Sequence, residues 1–146
     1  DPLGSTILID KGKIDGLKEE DAVIAGSGVL VGKIAKAEEH SAIVRLVNDN
    51  QSKIAATILN LDRSIGLVEG GFGISVRMNF IPQNEQINIG DLIVTSGLTQ
   101  SIPRGLLIGV VEAIERESYQ PFQRAILSTS ANLEKLTFVS VITTGK

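Results

Sequence analysis

The chain holds one histidine and no cysteine, so most site chemistry must pass through His40 or through carboxylates and hydroxyls. A Ser-His-Asp relay would need His40, which sits in the polar, turn-like run AEEHSA. Neither a G-x-S-x-G elbow nor a G-D-S-G loop is present, and Ala25-Gly26-Ser27-Gly28-Val29 lacks the outer glycines. Thr95-Ser96-Gly97 has the outline of an aspartic-protease turn, but a threonine stands where the acid must be. GSGVLVGK (26–33) suggests a phosphate loop only at a glance. That loop needs Gly at 27 and Ser or Thr at 34, where the chain has Ser27 and Ile34. A dinucleotide fingerprint fails at Val31. The carboxylates of NDNQS, EGGFG, Glu38-Glu39 and Glu115/Glu117 match no metal-loop spacing. No catalytic residue, metal site or cofactor is therefore expected.

Composition narrows the partners. Net charge is −3, with Lys and Arg scattered among acids, which gives no basic stripe for nucleic acid. With no Trp and one Tyr, an aromatic platform for sugar rings is not expected. The few aromatics that fall in turns, Phe72, Tyr119 and Phe122, either cap a barrel or anchor a partner, and they are the candidate partner contacts. Phe138, inside the last apolar run, is expected in the core.

The elements that position these residues are strands. Ile, Val and Leu recur in runs of 4–8 residues separated by Gly, Asn, Asp and Pro, as in TILID, DAVIA, VLVGKIAK, SAIVRLV, KIAATIL and ISVRMNF. Helix is expected only as single turns, near Asp15–Glu20 and Ala131–Lys135. About ten short, closely spaced strands imply an all-β chain of small barrels. Residues 1–5 (DPLGS) read as a cloning scar, with Thr6 beginning a fragment. IPQNEQINIG is the longest polar link and suggests a boundary between subdomains at 6–82 and 83–146, with exchange of strands between the halves left open. An internal echo supports two similar units. EDAVIAG…VLVGKIAK can be laid over GDLIVTSG…LLIGVVEA, which pairs Asp21 with Asp91, Gly26 with Gly97 to within a residue, and Gly32 with Gly109.

The segment GDLIVTSGLTQSIPRGLLIGVV carries Gly90, Asp91, Thr95, Ser96, Gly97, Pro103, Gly105, Gly109 and Val111 in one register. That spacing resembles the C-terminal extracytoplasmic β domain of the rod shape-determining MreC family. DKGKIDGLKEEDAVI, VLVGKIAKAEEHSAIVRLVNDNQSKIAATI and RSIGLVEGG are similar to further stretches of it, although Lys18–Asp21 is more acidic than usual there. The resemblance implies two six-stranded-type barrels side by side, similar to two-barrel serine proteases without a triad. It also implies a non-enzymatic scaffold of bacterial cell-wall elongation, outside the cytoplasmic membrane. Expected partners are a penicillin-binding transpeptidase, other proteins of the elongation complex and further copies of the chain. In the family, a membrane helix and a coiled coil precede this domain. Read from the residues alone, Gly97, Gly105, Pro103 and Thr95/Ser96 form a structural corner. Two rival readings are a two-barrel hydrolase using His40 and a barrel that binds a small ligand inside.

Overall fold

The computed structural model describes residues 5–60, 63–73 and 75–143, without the side chain of Phe72. The first four residues of the presumed scar lie outside the described residues. Eleven strands are found among the described residues: β1 (Thr6–Ile9), β2 (Ala22–Ala25), β3 (Val29–Ala37), β4 (Ala42–Leu46), β5 (Lys53–Ile58), β6 (Ile65–Phe72), β7 (Ser75–Pro82), β8 (Leu92–Thr95), β9 (Leu107–Glu115), β10 (Phe122–Thr129) and β11 (Ser140–Ile142). The fold is all-β, as the short β-branched runs imply. The only helical element among the described residues is a 3-10 turn at Lys13–Asp15, just ahead of the expected position. Residues 131–135 form turns.

Six strands close a ring in the order β5-β6-β7-β10-β9-β8, with β8 returning to β5. Closure removes the free edges that an open sheet would expose. Inward positions alternate along each strand and interlock as Ile54, Ala56, Ile58, Val68, Val76, Met78, Ile93, Ile108, Ala125 and Leu127, all buried. The interior is filled by branched side chains. A ligand-holding barrel, one of the two rival readings, would need a hollow where these side chains interlock.

The second unit is smaller. β1, β4, β3, β2 and β11 pair in that order, antiparallel throughout, around Leu17, Val23, Val31, Ile34, Val44 and Leu46. Among the described residues it has five strands, where six were expected. The units meet along Ala22, Leu30 and Val47, which pack into the core of the ring. A parallel bridge between Val29 and Leu107 joins them, and the Leu107 N–H donates to Gly28 O at 2.9 Å.

The boundary expected at 82/83 falls inside the ring, between β7 and β8. The polar link is a loop of one barrel, and it drops Ile87 into that barrel's core. The other barrel recruits β11 from the far end of the chain, 116 or more positions beyond its partner β2. Ring closure is a long-range property, so local polarity along the chain does not mark it.

Candidate partner-binding surface

The TSG corner (Thr95-Ser96-Gly97) ends β8 and opens the loop that leads to β9. Thr95 is fully buried at the end of β8. Its hydroxyl accepts the Leu106 N–H at 2.9 Å and donates to Pro103 O at 2.6 Å. Its backbone completes the clamp: Thr95 N–H donates to Leu106 O at 2.8 Å, and Gly105 N–H donates to Thr95 O at 3.0 Å. One side chain thus seals both ends of the loop that follows it. Ser96 Oγ accepts the Leu98 N–H at 3.2 Å. Gly97 and Gly105 take φ of +83° and +93°, which side chains rarely adopt. The Thr95 hydroxyl is committed to backbone groups on both sides. His40 is exposed in the β3–β4 turn, far along the chain from Thr95 and in the other barrel.

Asp91 and Gly90 also do structural work. Asp91 Oδ2 accepts the Asn88 N–H at 2.9 Å, while Gly90 N–H donates to Val111 O and Val111 N–H to Asp91 O. Gly109 faces the backbone of β10 so closely that an added Cβ would lie 2.2 Å from Ser128 O.

The aromatic candidates divide. Tyr119 is 78% exposed in the β9–β10 loop, and Phe122 is 46% exposed at the start of β10. The side chain of Phe72 lies outside the described residues, so its proposed contact role stands without a structural account. Phe138, expected in the core, is instead 87% exposed, because it lies in the irregular stretch before β11 and points away from Val139 and Val141.

Phe80 was missed from sequence as a contact residue. In ISVRMNFIP, the alternation that buries Val76 and Met78 should also bury Phe80. Instead Ile81 is buried and Phe80 is 55% exposed. The pairing explains the switch. Gln123 opposes Ile81 and Ala125 opposes Met78, so β7 carries Asn79 and Phe80 against the single residue Arg124. This β-bulge puts Phe80 at φ +67°, an uncommon backbone for a bulky side chain, and turns the ring outward. The signal in the sequence was the adjacent apolar pair Phe80-Ile81, which breaks the period of two.

The Phe80 and Phe122 rings meet edge to face with centroids 5.7 Å apart. A polar chain borders them. Glu69 accepts from the Asn79 amide, Asn79 Oδ1 accepts from Arg124 Nε at 2.7 Å, and Arg124 Nη1 meets Glu115 Oε1 at 3.1 Å. Beneath them, buried Gln123 donates from Nε2 to Pro82 O (2.9 Å) and Glu85 O (2.7 Å) and accepts from Arg116 Nη2 (2.8 Å). Gln83 Nε2 donates to Glu117 O at 2.6 Å and fastens the neighbouring loops together. An open depression of about 1000 Å³ includes both rings, Ile114, Arg116 and Glu117 in its lining. Exposed aromatics held on a fixed polar frame suit contact with a macromolecule, and no metal-ligand cluster is found among the described residues.

Comparisons with known proteins agree with this architecture. The family model "Rod shape-determining protein MreC, barrel core" matches residues 1–143. The cell shape-determining protein MreC of Escherichia coli K12 is 26% identical over 142 residues, covering 97% of this chain. The chain spans 38% of that relative's length. The crystal structure of MreC from Pseudomonas aeruginosa superposes with a TM-score of 0.88 at 26% identity, covering 97% of this chain and 91% of that one. A chain in the complex between penicillin-binding protein PBP2 and MreC from Helicobacter pylori superposes with a TM-score of 0.70 over 85% of this chain and 76% of its own. At 22% identity that likeness is one of fold. A corner clamped by Thr95, two small barrels sharing one interface, and a family match across nearly every residue converge: the chain belongs to the MreC family of rod shape-determining proteins.

Proposed function

We propose that this domain is a non-catalytic scaffold of the cell-elongation machinery. In this reading it acts outside the cytoplasmic membrane, binds a penicillin-binding transpeptidase and associates with further copies of itself. The observation that carries the reading is the Phe80–Phe122 pair, held out on a bulge at φ +67° and framed by the Glu69–Asn79–Arg124–Glu115 chain. Conformational strain of this kind costs about 1–3 kcal/mol and clusters where a surface is used. Large apolar rings on a rigid frame lose little entropy on docking, as interface anchors require. The complex of PBP2 with MreC from H. pylori supports the choice of partner class. The extracytoplasmic location follows from the family resemblance.

Binding of the purified domain to the transpeptidase ectodomain from the same organism, measured by biolayer interferometry, tests it. Phe80→Asn combined with Phe122→Ala should weaken binding at least about tenfold, since anchors of this size each contribute about 2 kcal/mol or more. Wild-type domain that binds no transpeptidase ectodomain, or a double variant that binds undiminished, would reject the proposal.

A further inference from the structure

The two barrels are copies of one plan, residue by residue. Glu20 and Gly90 both take left-handed backbones (φ +77° and +96°). Each is followed by an aspartate whose Oδ2 accepts an N–H three residues back, Lys18 for Asp21 and Asn88 for Asp91. Glu20 N–H donates to Ile34 O as Gly90 N–H donates to Val111 O, and in return Ile34 N–H donates to Asp21 O as Val111 N–H donates to Asp91 O. Val23 opposes Gly32 as Ile93 opposes Gly109, with a register shift at the next position in both. A Cβ on Gly32 would lie 2.1 Å from Arg45 O, and one on Gly109 would lie 2.2 Å from Ser128 O. A second shift recurs between Ile34 and Lys36 and between Val111 and Ala113. So β2, β3 and β4 correspond to β8, β9 and β10.

The flanking strands follow. β11 lies antiparallel on β2 as β5 lies on β8, which matches Val141 to Ile58 and Val139 to Ala56. β1 lies antiparallel on β4 as β7 lies on β10, which matches Ile7 to Val76, Leu8 to Arg77 and Ile9 to Met78. In the closed ring, β6 fills the place between β5 and β7. Its counterpart between β11 and β1 is missing among the described residues. A groove of about 530 Å³ runs there instead, with Leu8, Ile9, Leu17, Phe138, Val139 and Val141 in its lining. The burial pattern records the gap. Val76, Met78, Ala56 and Ile58 are fully buried, whereas Ile7, Ile9, Val139 and Val141 are only partly so. Leu8 (72%) and Phe138 (87%) stand exposed on the two banks.

We propose that this seam takes an extended apolar strand from a partner polypeptide, seated antiparallel to both β1 and β11 as β6 is seated between β7 and β5. The chemistry of the occupant follows from the correspondence. The position equivalent to Val68 lies between Ile9 and Thr137 and faces the core, so it must be apolar. The position equivalent to Leu67 lies between Asp10 and exposed Phe138, and that of Glu69 beside exposed Leu8, so the outer face takes apolar or uncharged residues and disfavours acids. Edge backbone groups supply affinity and the side-chain positions supply selectivity, as in strand addition elsewhere. The aromatic patch on the other barrel plays no part in it.

The probe is a synthetic peptide with the sequence of Ser64–Gly70 carrying Glu69→Thr, titrated into the isotopically labelled domain. Amide shifts are expected at residues 6–10 and 137–143, and the same peptide with Val68→Asp should bind at least about tenfold more weakly. Leu8→Lys with Phe138→Ser in the protein should weaken peptide binding similarly. Both residues are exposed, so the melting temperature reports whether that variant remains folded. Absence of shifts at millimolar peptide overturns the proposal, as do shifts confined to other strands. Concentration-dependent shifts of the same edges without peptide would assign the seam to a second copy and overturn it too. Transpeptidase binding that survives in the Leu8→Lys/Phe138→Ser variant separates this seam from the surface of the proposed function.

Discussion

Thr95→Val tests whether the hydroxyl of the TSG corner is a clamp. Valine keeps the shape of threonine and removes only the oxygen, so the packing around the fully buried site is conserved. Two hydrogen bonds are lost. Pro103 is exposed, so its carbonyl can turn to water, and its share of the cost is small. Leu106 N–H has no such exit, because its loop is folded against the end of β8. Leaving a part-buried donor unsatisfied costs about 1–3 kcal/mol, so the sum is about 2 kcal/mol. For a domain of this size that lowers the melting temperature by about 6–8 °C. Thr95→Ser keeps the oxygen and deletes one buried methyl, a loss of about 1 kcal/mol. Melting temperature alone separates the variants narrowly, so hydrogen exchange decides. The Leu106 amide should exchange faster in Thr95→Val and stay protected in Thr95→Ser. A valine variant that melts with the wild type and keeps the Leu106 amide protected would refute the clamp.

Gly109→Ala and Gly32→Ala should each destabilise by about 3 kcal/mol in urea denaturation, because both Cβ atoms would press on backbone carbonyls that cannot rotate away. Near-equal losses would also confirm that the barrels share one packing device. Gly16→Ala, where φ is +90° but the space is open, should cost only about 1 kcal/mol. Phe80→Asn should leave stability within about 1 kcal/mol by thermal denaturation, since asparagine relieves the left-handed backbone that offsets the lost ring contact. Gln123→Leu should cost about 2–4 kcal/mol by urea denaturation, because Pro82 O, Glu85 O and the Arg116 guanidinium lose their common partner.

Much of this molecule is legible in one dimension because strands announce themselves by period and punctuation. The duplication shows in Asp21/Asp91 and Gly32/Gly109, and Thr95 betrays its role by standing where a catalytic acid would have to be. What the sequence hides is whatever depends on the distant pairing partner. Phe80 flips outward only because β7 has one residue too many opposite Arg124. Phe138 emerges because β11 is just three residues long and the segment before it never joins a ladder. The polar link IPQNEQINIG (81–90) looks like a border, yet the strands on both sides of it, β7 and β8, belong to one ring.

The correspondence between the barrels also explains how a five-stranded unit can stand. In the closed ring, β6 buries the flanks of β5 and β7. In the open unit, Leu133 packs against both cores, and Leu136 packs against the smaller one. Ala22, Leu30 and Val47 lend the smaller unit the interior of its neighbour, and β11 is tied on one side to β2 alone. An edge strand of four residues and another of three are short enough to resist indiscriminate sheet growth, which is how natural sheets guard such edges. The exposed Leu8 and Phe138 work against that protection, since a lysine at either place would guard the edge at no packing cost. Apolar residues on both banks of an unfilled strand position favour a specific strand over a merely protected edge, and that preference is what the Leu8→Lys/Phe138→Ser variant removes.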